Sequence, residues 1–211
     1  MKLLKVRTFL QEKNSDDCGP MCVLMILDHF GIESTEEDLK KRMRYEEGGT
    51  SIYDNGLRCL EKDLKATLIT ANPIIFEKEL QGKIKTKKAL FQVLAAYGRK
   101  NSKKRNQVKI FKDFANSGGK VVIEIPTFEH IKKAIDSNQL VLALLYGRAL
   151  GAKQGGFHFV VVSGYKKDFL YINNPLPGSR TGWFPVKDFI YALYASTCFD
   201  MDNGSLLQVG K

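Results

Sequence analysis

The segment 11–30, QEKNSDDCGPMCVLMILDHF, limits what this chain can fold into more than any other stretch. At Cys18 a polar loop changes into a run that is apolar on nearly every side, and a helix of that kind is normally buried. Asp16 and Asp17 are favourable capping residues, Pro20 suits a first helical turn, and Gly31 suits the end of the helix. The pattern predicts a buried helix with Cys18 at its positive end, where the pKa of a thiol is lowered and the thiolate is favoured.

A cysteine at a helix start also has an ordinary interpretation, as a small buried residue. The other cysteines, Cys22, Cys59 and Cys198, lie at scattered spacings, and none forms a CxxC pair. We therefore expect neither a zinc site nor a disulfide framework, and a reducing cytoplasm fits best.

The N-terminal stretch has a charge inside its apolar run and no small-residue cleavage site, and the longest apolar runs have the length of a strand. We expect no signal peptide and no transmembrane segment.

The positive charge of the chain belongs to one segment. The net charge is +10, and the segment Lys83 to Lys112 alone carries +11, which leaves −1 for the remainder. Such a run is most often a solvated face, but it can also form a docking arm for an acidic partner. Aromatic residues do not alternate with the basic ones as they do in single-strand binding surfaces, so we expect no nucleic-acid partner.

The order of the elements predicts an α+β fold in which N-terminal helices pack on a C-terminal antiparallel sheet. A short edge strand is predicted at 5–10. Helices are predicted after Cys18, after Ser34 and after Thr50 or Ser51, followed by a strand at 65–70. From residue 118 the pattern changes to strands, with a short helix at 185–193 and a last strand at 196–201. We interpret 1–211 as a single domain with a basic helical insertion at 72–117.

One of the three histidines stands out from the others. His29 lies in the buried helix and His130 near a helix start, and a structural role suits both. His158 follows two glycines and opens a strongly apolar strand, where a buried imidazole needs partners for both nitrogens. Asn173 and Asn174 end the strand that we expect to pair with that of His158. Asn174 is the preferred partner for the ring, with Asn173 as the alternative.

These residues follow the logic of a Cys–His–Asn triad, in which a thiolate attacks, a base moves protons and a third residue orients the base. The chain order Cys18, His158, Asn174, with Gln11 upstream of the cysteine, is the papain-like order. Gln11 could supply a side-chain N–H to a developing oxyanion beside the backbone N–H of Cys18.

Together with Gln11, the motifs DCGP (17–20), GGTS (48–51), FHFVVVSGY (157–165) and YINNP (171–175) resemble the double-glycine leader peptidases. These are papain-like cysteine peptidases that process bacteriocins, and the chain is similar to their free-standing relatives. The resemblance implies a papain-like fold, with Cys18 as nucleophile, His158 as general base and acid, and Gln11 as oxyanion donor. The family usually has Asp before the proline, where this chain has Asn174.

The leading hypothesis is a cysteine peptidase that hydrolyses peptide bonds in a peptide or protein substrate through an acyl-enzyme, with no metal or cofactor. Two alternatives stay open at this point. A papain-like acyltransferase or amidase, such as a deamidase or a transglutaminase-like enzyme, would share the thioester and differ in the acceptor. A non-catalytic peptide-binding module would use the basic segment as a docking arm.

Overall fold

The computed structural model describes residues 1–46, 48–150, 156–195, 202 and 204–211. The helices are α1 (Cys18–His29), α2 (Glu36–Arg42), α3 (Ile52–Leu60), α4 (Pro73–Leu80), α5 (Lys87–Lys100), α6 (Arg105–Asn116), α7 (Phe128–Asp136) and α8 (Val186–Ala195). The strands are β1 (Lys2–Leu3), β2 (Lys65–Thr70), β3 (Lys120–Ile123), β4 (Leu140–Tyr146), β5 (Phe157–Lys166), β6 (Phe169–Asn173), β7 (Gly182–Pro185) and β8 (Ser205–Gly210). Short 3₁₀ helices lie at Ser102–Lys104 and Gly147–Leu150. Cys198 and the strand predicted at 196–201 lie outside the described residues.

The strands form one sheet in the order β3-β2-β8-β4-β5-β6-β7, with β1 paired to the far end of β5. Neighbours are antiparallel except β2 and β3, which run parallel. The strand β8 lies between β2 and β4 and pairs with both. The predicted α+β class, with N-terminal helices on a C-terminal sheet, is confirmed, and the parallel pair at one edge is an addition to it.

The hydrophobic core has two layers because the sheet is covered on both faces. On one face, side chains of α1, α3, α5 and α6 pack against alternate residues of the central strands, such as Leu142 and Val161. On the other face, α7 and α8 pack against the residues between them, such as Val141 and Val160. Successive side chains of a strand point to opposite faces, so the continuous apolar runs of β4 and β5 supply both layers at once.

The edge strand predicted at 5–10 is wrong, because β1 ends at Leu3. The chain then crosses the ends of β5 and β6 and is held there by single hydrogen bonds. Leu4 N donates to Ser163 O over 2.8 Å, and Gln11 N donates to Pro175 O over 2.9 Å. This path brings the segment before α1 next to the end of β6.

The basic segment is anchored to the main core. Helix α6 buries Ile110, Phe111 and Phe114 completely, and the Phe111 ring lies 4.5 Å from that of Tyr53 in α3. Helix α5 contributes Leu90 and Leu94 to the same cluster, while its lysines face outward. None of the helices in the described ranges is both long and apolar enough to cross a membrane.

Candidate active site

Helix α1 begins at Cys18, where the sequence predicts it, and its end lies next to Gly31, which takes the left-handed conformation with φ 71°. Asp17 occupies the N-cap position, but its side chain makes no capping hydrogen bond. Its carboxylate instead accepts from the Tyr45 hydroxyl over 2.6 Å and forms an ion pair with Lys40 at 2.7 Å. Burial opposes ionisation of Asp17, but the hydrogen bonds from Lys40 and Tyr45 outweigh it and lower its pKa. The residue before Cys18 is therefore a fixed anion that ties α1 to α2.

The loop 48–51 lies directly on the first turn of α1. Gly19 has no room for a side chain, because a Cβ there would overlap the Thr50 hydroxyl and lie 2.8 Å from Asn55 Oδ1. Thr50 and Asn55 are buried, and their side-chain oxygens are hydrogen-bonded at 3.1 Å. Glycine at position 19 therefore lets this loop form one wall beside Cys18.

The variant Gly19→Ala is expected to lower the free energy of unfolding by about 1–3 kcal/mol, because the added methyl group must displace Thr50 or Asn55. The control is Gly98→Ala in α5, where a Cβ would meet Val108 Cγ2 at 3.4 Å, an ordinary contact. That variant should be neutral or stabilising, since glycine inside a helix costs about 0.5–1 kcal/mol relative to alanine. Urea unfolding measures both. Equal stability of the Gly19→Ala variant and the wild type would contradict the close packing.

The Cys18 thiol lies against strand β5. Burial raises its pKa to about 11, although the backbone N–H groups of Phe159 and Gly19 face the sulfur and act in the opposite direction. The expectation that the helix start lowers this pKa is therefore wrong. Only 8% of Cys18 is exposed, and the loss of hydration outweighs the favourable backbone N–H groups. At neutral pH the thiol carries its proton.

The His158 ring is paired with Asn174, as the sequence predicts. The distance from His158 Nε2 to Asn174 Oδ1 is 2.8 Å. The same Oδ1 accepts from the backbone N–H of Leu176 over 3.0 Å, so it is an oxygen acceptor and Nε2 must be the donor. This fixes the tautomer and leaves the Nδ1 lone pair as the base of the neutral ring. Burial lowers the pKa of His158 to about 4, while the bond to Asn174 acts in the opposite direction.

Asn173 takes a different role. Its Oδ1 accepts from the Ser163 hydroxyl over 2.6 Å, and its Nδ2 donates to the Thr8 hydroxyl over 2.9 Å. These contacts hold the N-terminal segment on β5 and β6. The alternative in which Asn173 orients His158 has no hydrogen bond to support it within the described ranges.

Gln11 is brought to the end of β6, beside Asn174, through its backbone bond to Pro175. Its side chain is buried and donates one amide N–H to the carbonyl of Ser15. Among the residues that the structure describes, no hydrogen bond joins the Cys18 thiol to His158 or to Gln11. The thiol instead meets β5 at Phe159, the residue after His158. The His158 ring is hydrogen-bonded to Asn174. It points to the opposite face of β5 from the Phe159 side chain, since side chains alternate along a strand.

The other two histidines make structural hydrogen bonds. His29 Nδ1 lies 2.8 Å from the carbonyl of Lys5, which holds the N-terminal segment on α1. The His130 ring takes part in a capping box with Thr127 at the start of α7 and lies 3.2 Å from Glu124.

One polar residue near Cys18 was missed in the sequence. A pocket of about 100 Å³ is lined by Cys18, by the loop 48–51, and by Gln107 of α6. Gln107 lies four residues before Phe111 and seven before Phe114, which places a polar residue on the apolar stripe of its helix. That irregularity in the helical pattern is the signal that could have identified it.

Three solved structures resemble the whole chain at low sequence identity. A candidate C39-like peptidase from Bacillus anthracis has a TM-score of 0.58 and 12% identity and covers 100% of this chain and 98% of its own. A double glycine motif protease from an AMS/PCAT transporter, solved with the leader peptide, has a TM-score of 0.52 and 14% identity, with 100% and 95% covered. The peptidase domain of Streptococcus ComA, a bifunctional ABC transporter of a quorum-sensing pathway, has a TM-score of 0.50 and 12% identity, with 96% and 97% covered.

These likenesses show a C39 papain-like fold. No curated protein matches the chain. The sequence model of a peptidase family, described as "Peptidase_C39 like family", matches residues 3–197, which is most of the chain. The chain therefore belongs to the Peptidase_C39 like family.

Proposed function

We propose that this protein is a cysteine peptidase that hydrolyses peptide bonds, with Cys18 as nucleophile, His158 as general base and acid, and Asn174 as the residue that orients the ring. The observation that carries the proposal is the hydrogen bond from His158 Nε2 to Asn174 Oδ1. It leaves an unprotonated Nδ1 on the strand that the Cys18 sulfur contacts. A neutral imidazole that meets a protonated thiol can begin catalysis as a general base.

In the proposed mechanism, the Cys18 sulfur attacks the carbonyl carbon of the peptide bond while its proton moves to His158 Nδ1. The resulting imidazolium gives that proton to the leaving nitrogen as the C–N bond breaks, which leaves a thioester on Cys18. Water then attacks the thioester and loses a proton to Nδ1. The acid product departs, and the proton returns to the sulfur.

Gln11 is assigned to the oxyanion site together with the backbone N–H of Cys18. A carboxamide carries two N–H donors, and the bond to Ser15 uses one of them. The second donor is available to an oxyanion. The oxygen of the same amide, Gln11 Oε1, is buried and accepts no hydrogen bond from the described residues.

The proposal requires His158 Nδ1 and the Cys18 sulfur to meet when substrate fills the site. Catalytic hydrogen bonds are often long or poorly aligned in unliganded enzymes and tighten in the substrate complex. The contact of the sulfur with the N–H of Phe159, the residue after His158 in β5, supports this requirement.

We propose a peptide or protein substrate, in line with the double glycine motif protease that was solved with a leader peptide. The exposed lysines of Lys83 to Lys112 are proposed to bind an acidic part of that substrate or of another partner.

Cys18, Cys22 and Cys59 are free thiols, which fits the reducing cytoplasm that we propose as the location.

A peptide library tests the proposed function. Incubation with the wild-type protein should give products cut at a preferred sequence, detected by mass spectrometry, and the Cys18→Ala variant should give none. An added amine separates hydrolysis from acyl transfer: products that carry the amine in place of a free carboxylate would indicate a transferase. Identical product profiles from wild type and Cys18→Ala would contradict the peptidase proposal.

A further inference from the structure

The pocket beside Cys18 is built partly by the basic segment. Its walls come from the loop 48–51, from Leu144 and Phe159 of the central strands, and from Gln107 of α6. We propose that Gln107 is a substrate-positioning residue that hydrogen-bonds the backbone of the peptide bound at Cys18. This inference rests on the proposed function and assigns one part of the basic segment to the site itself.

Gln107 is buried without the hydrogen bonds that its side chain needs. Only 5% of the residue is exposed, and its Oε1 is buried and has no hydrogen-bond partner. Within the described part of the chain, none of the hydrogen bonds involves this side chain. Buried carboxamides are normally paired, and leaving one unpaired destabilises a protein. An apolar residue would suit this position of α6 better, so the unpaired amide points to a partner that enters the pocket.

The position of Gln107 relative to Cys18 is fixed from both sides. The preceding residue, Asn106, donates to Glu46 Oε1 over 2.7 Å, and Glu46 lines the same pocket. Farther along α6, Asp113 forms an ion pair with Arg44 at 2.7 Å. Because α6 is bound to the loop region before 48–51, the backbone that carries Gln107 is held in place before any ligand arrives, which lowers the entropy cost of binding.

The chemistry of a carboxamide indicates which part of a substrate it binds. An uncharged amide presents one acceptor and two donors in a plane, which matches the N–H and C=O groups of a peptide backbone. It gives no preference for a charged side chain. A pocket of about 100 Å³ also leaves little space for a large side chain. We therefore assign Gln107 to the peptide backbone close to the scissile bond.

Two alkylating reagents separate backbone recognition from thiol reactivity. Iodoacetamide reports the reactivity of Cys18, whereas acetyl-Ala-Ala-Ala chloromethyl ketone also requires binding of a peptide backbone. The Gln107→Ala variant is expected to react about five- to tenfold more slowly with the tripeptide reagent, as the loss of one hydrogen bond implies, and at an unchanged rate with iodoacetamide. The Gln92→Ala variant is a matched control, because Gln92 is an exposed glutamine of the same segment.

A second variant removes the polarity and keeps the volume. Gln107→Leu should react slowly with the tripeptide reagent and should unfold at a higher temperature than wild type, since the unpaired amide is gone. The proposal would be overturned if Gln107→Ala and Gln107→Leu reacted with the tripeptide reagent at the wild-type rate. Equal losses of rate with the tripeptide reagent and with iodoacetamide would also overturn it. If the peptidase proposal itself is wrong, the result is different: the wild-type protein leaves the peptide libraries uncleaved, and its Cys18 does not react with the reagents.

Discussion

Replacing Cys18 with alanine is expected to reduce peptide hydrolysis by at least about 10⁴-fold. No covalent intermediate can form without the sulfur, and what remains is the binding of substrate and the oxyanion donors. The loss should appear in kcat, because the small thiol group that the substitution removes contributes little to substrate binding. Single-turnover cleavage of the best library peptide measures it, and mass spectrometry of the quenched reaction should show the acyl-enzyme in wild type alone.

The matched control is Cys22→Ala. Cys22 lies one turn farther along α1, is fully buried, and has a pKa that burial raises well above that of an ordinary thiol. This variant should lose some stability and keep its turnover per folded molecule. Retention of more than about 1% of wild-type turnover by Cys18→Ala, or an equal loss in Cys22→Ala, would contradict the role of Cys18.

Replacing His158 with alanine is expected to lower kcat by about 10³- to 10⁴-fold at pH 7. The pKa of the Cys18 thiol is about 11, so without a base only about 10⁻⁴ of the molecules carry the reactive thiolate at neutral pH. The residual rate of the variant should therefore rise about tenfold for each pH unit towards 11. The control is His130→Ala, which removes a helix cap at the surface and should leave turnover unchanged.

The wild-type pH profile tests the same assignment. Activity requires the neutral ring, and burial lowers the pKa of His158 to about 4, so kcat/KM should be constant above that pH and fall as the pH drops through about 4. The variant Asn174→Asp places a carboxylate beside the ring, which favours the imidazolium and should move the acid limb to higher pH. A wild-type rate that rises steadily with pH through neutrality would contradict His158 as the base.

The local elements of the site could be predicted from the sequence because each has a strong local signal. The apolar run after Cys18 and the left-handed Gly31 define α1, and the apolar runs of β4 to β6 define the strands around His158. The pairing of His158 with Asn174 follows from the hairpin that joins β5 to β6. These features depend on residues close together in the chain.

What could not be predicted depends on distant contacts. The pKa of Cys18 is set by burial under β5 and the loop 48–51, which outweighs the effect of the helix start. The order of the sheet, with β8 between β2 and β4, has no local signal. The contribution of Gln107 to the pocket requires the packing of α6 against α3. In that packing, Tyr53 of α3 is fully buried against Phe111.

The central position of β8 has a consequence for synthesis. Among the described strands, the edge pair β2–β3 and the block β4 to β7 are joined in the sheet only through residues 205–210. A nascent chain therefore cannot complete the sheet until that segment has left the ribosome, and pairings over such long separations form slowly. In newly made molecules, β2 and β4 are therefore unpaired edge strands until β8 inserts between them. During this period chaperones would protect the chain from aggregation.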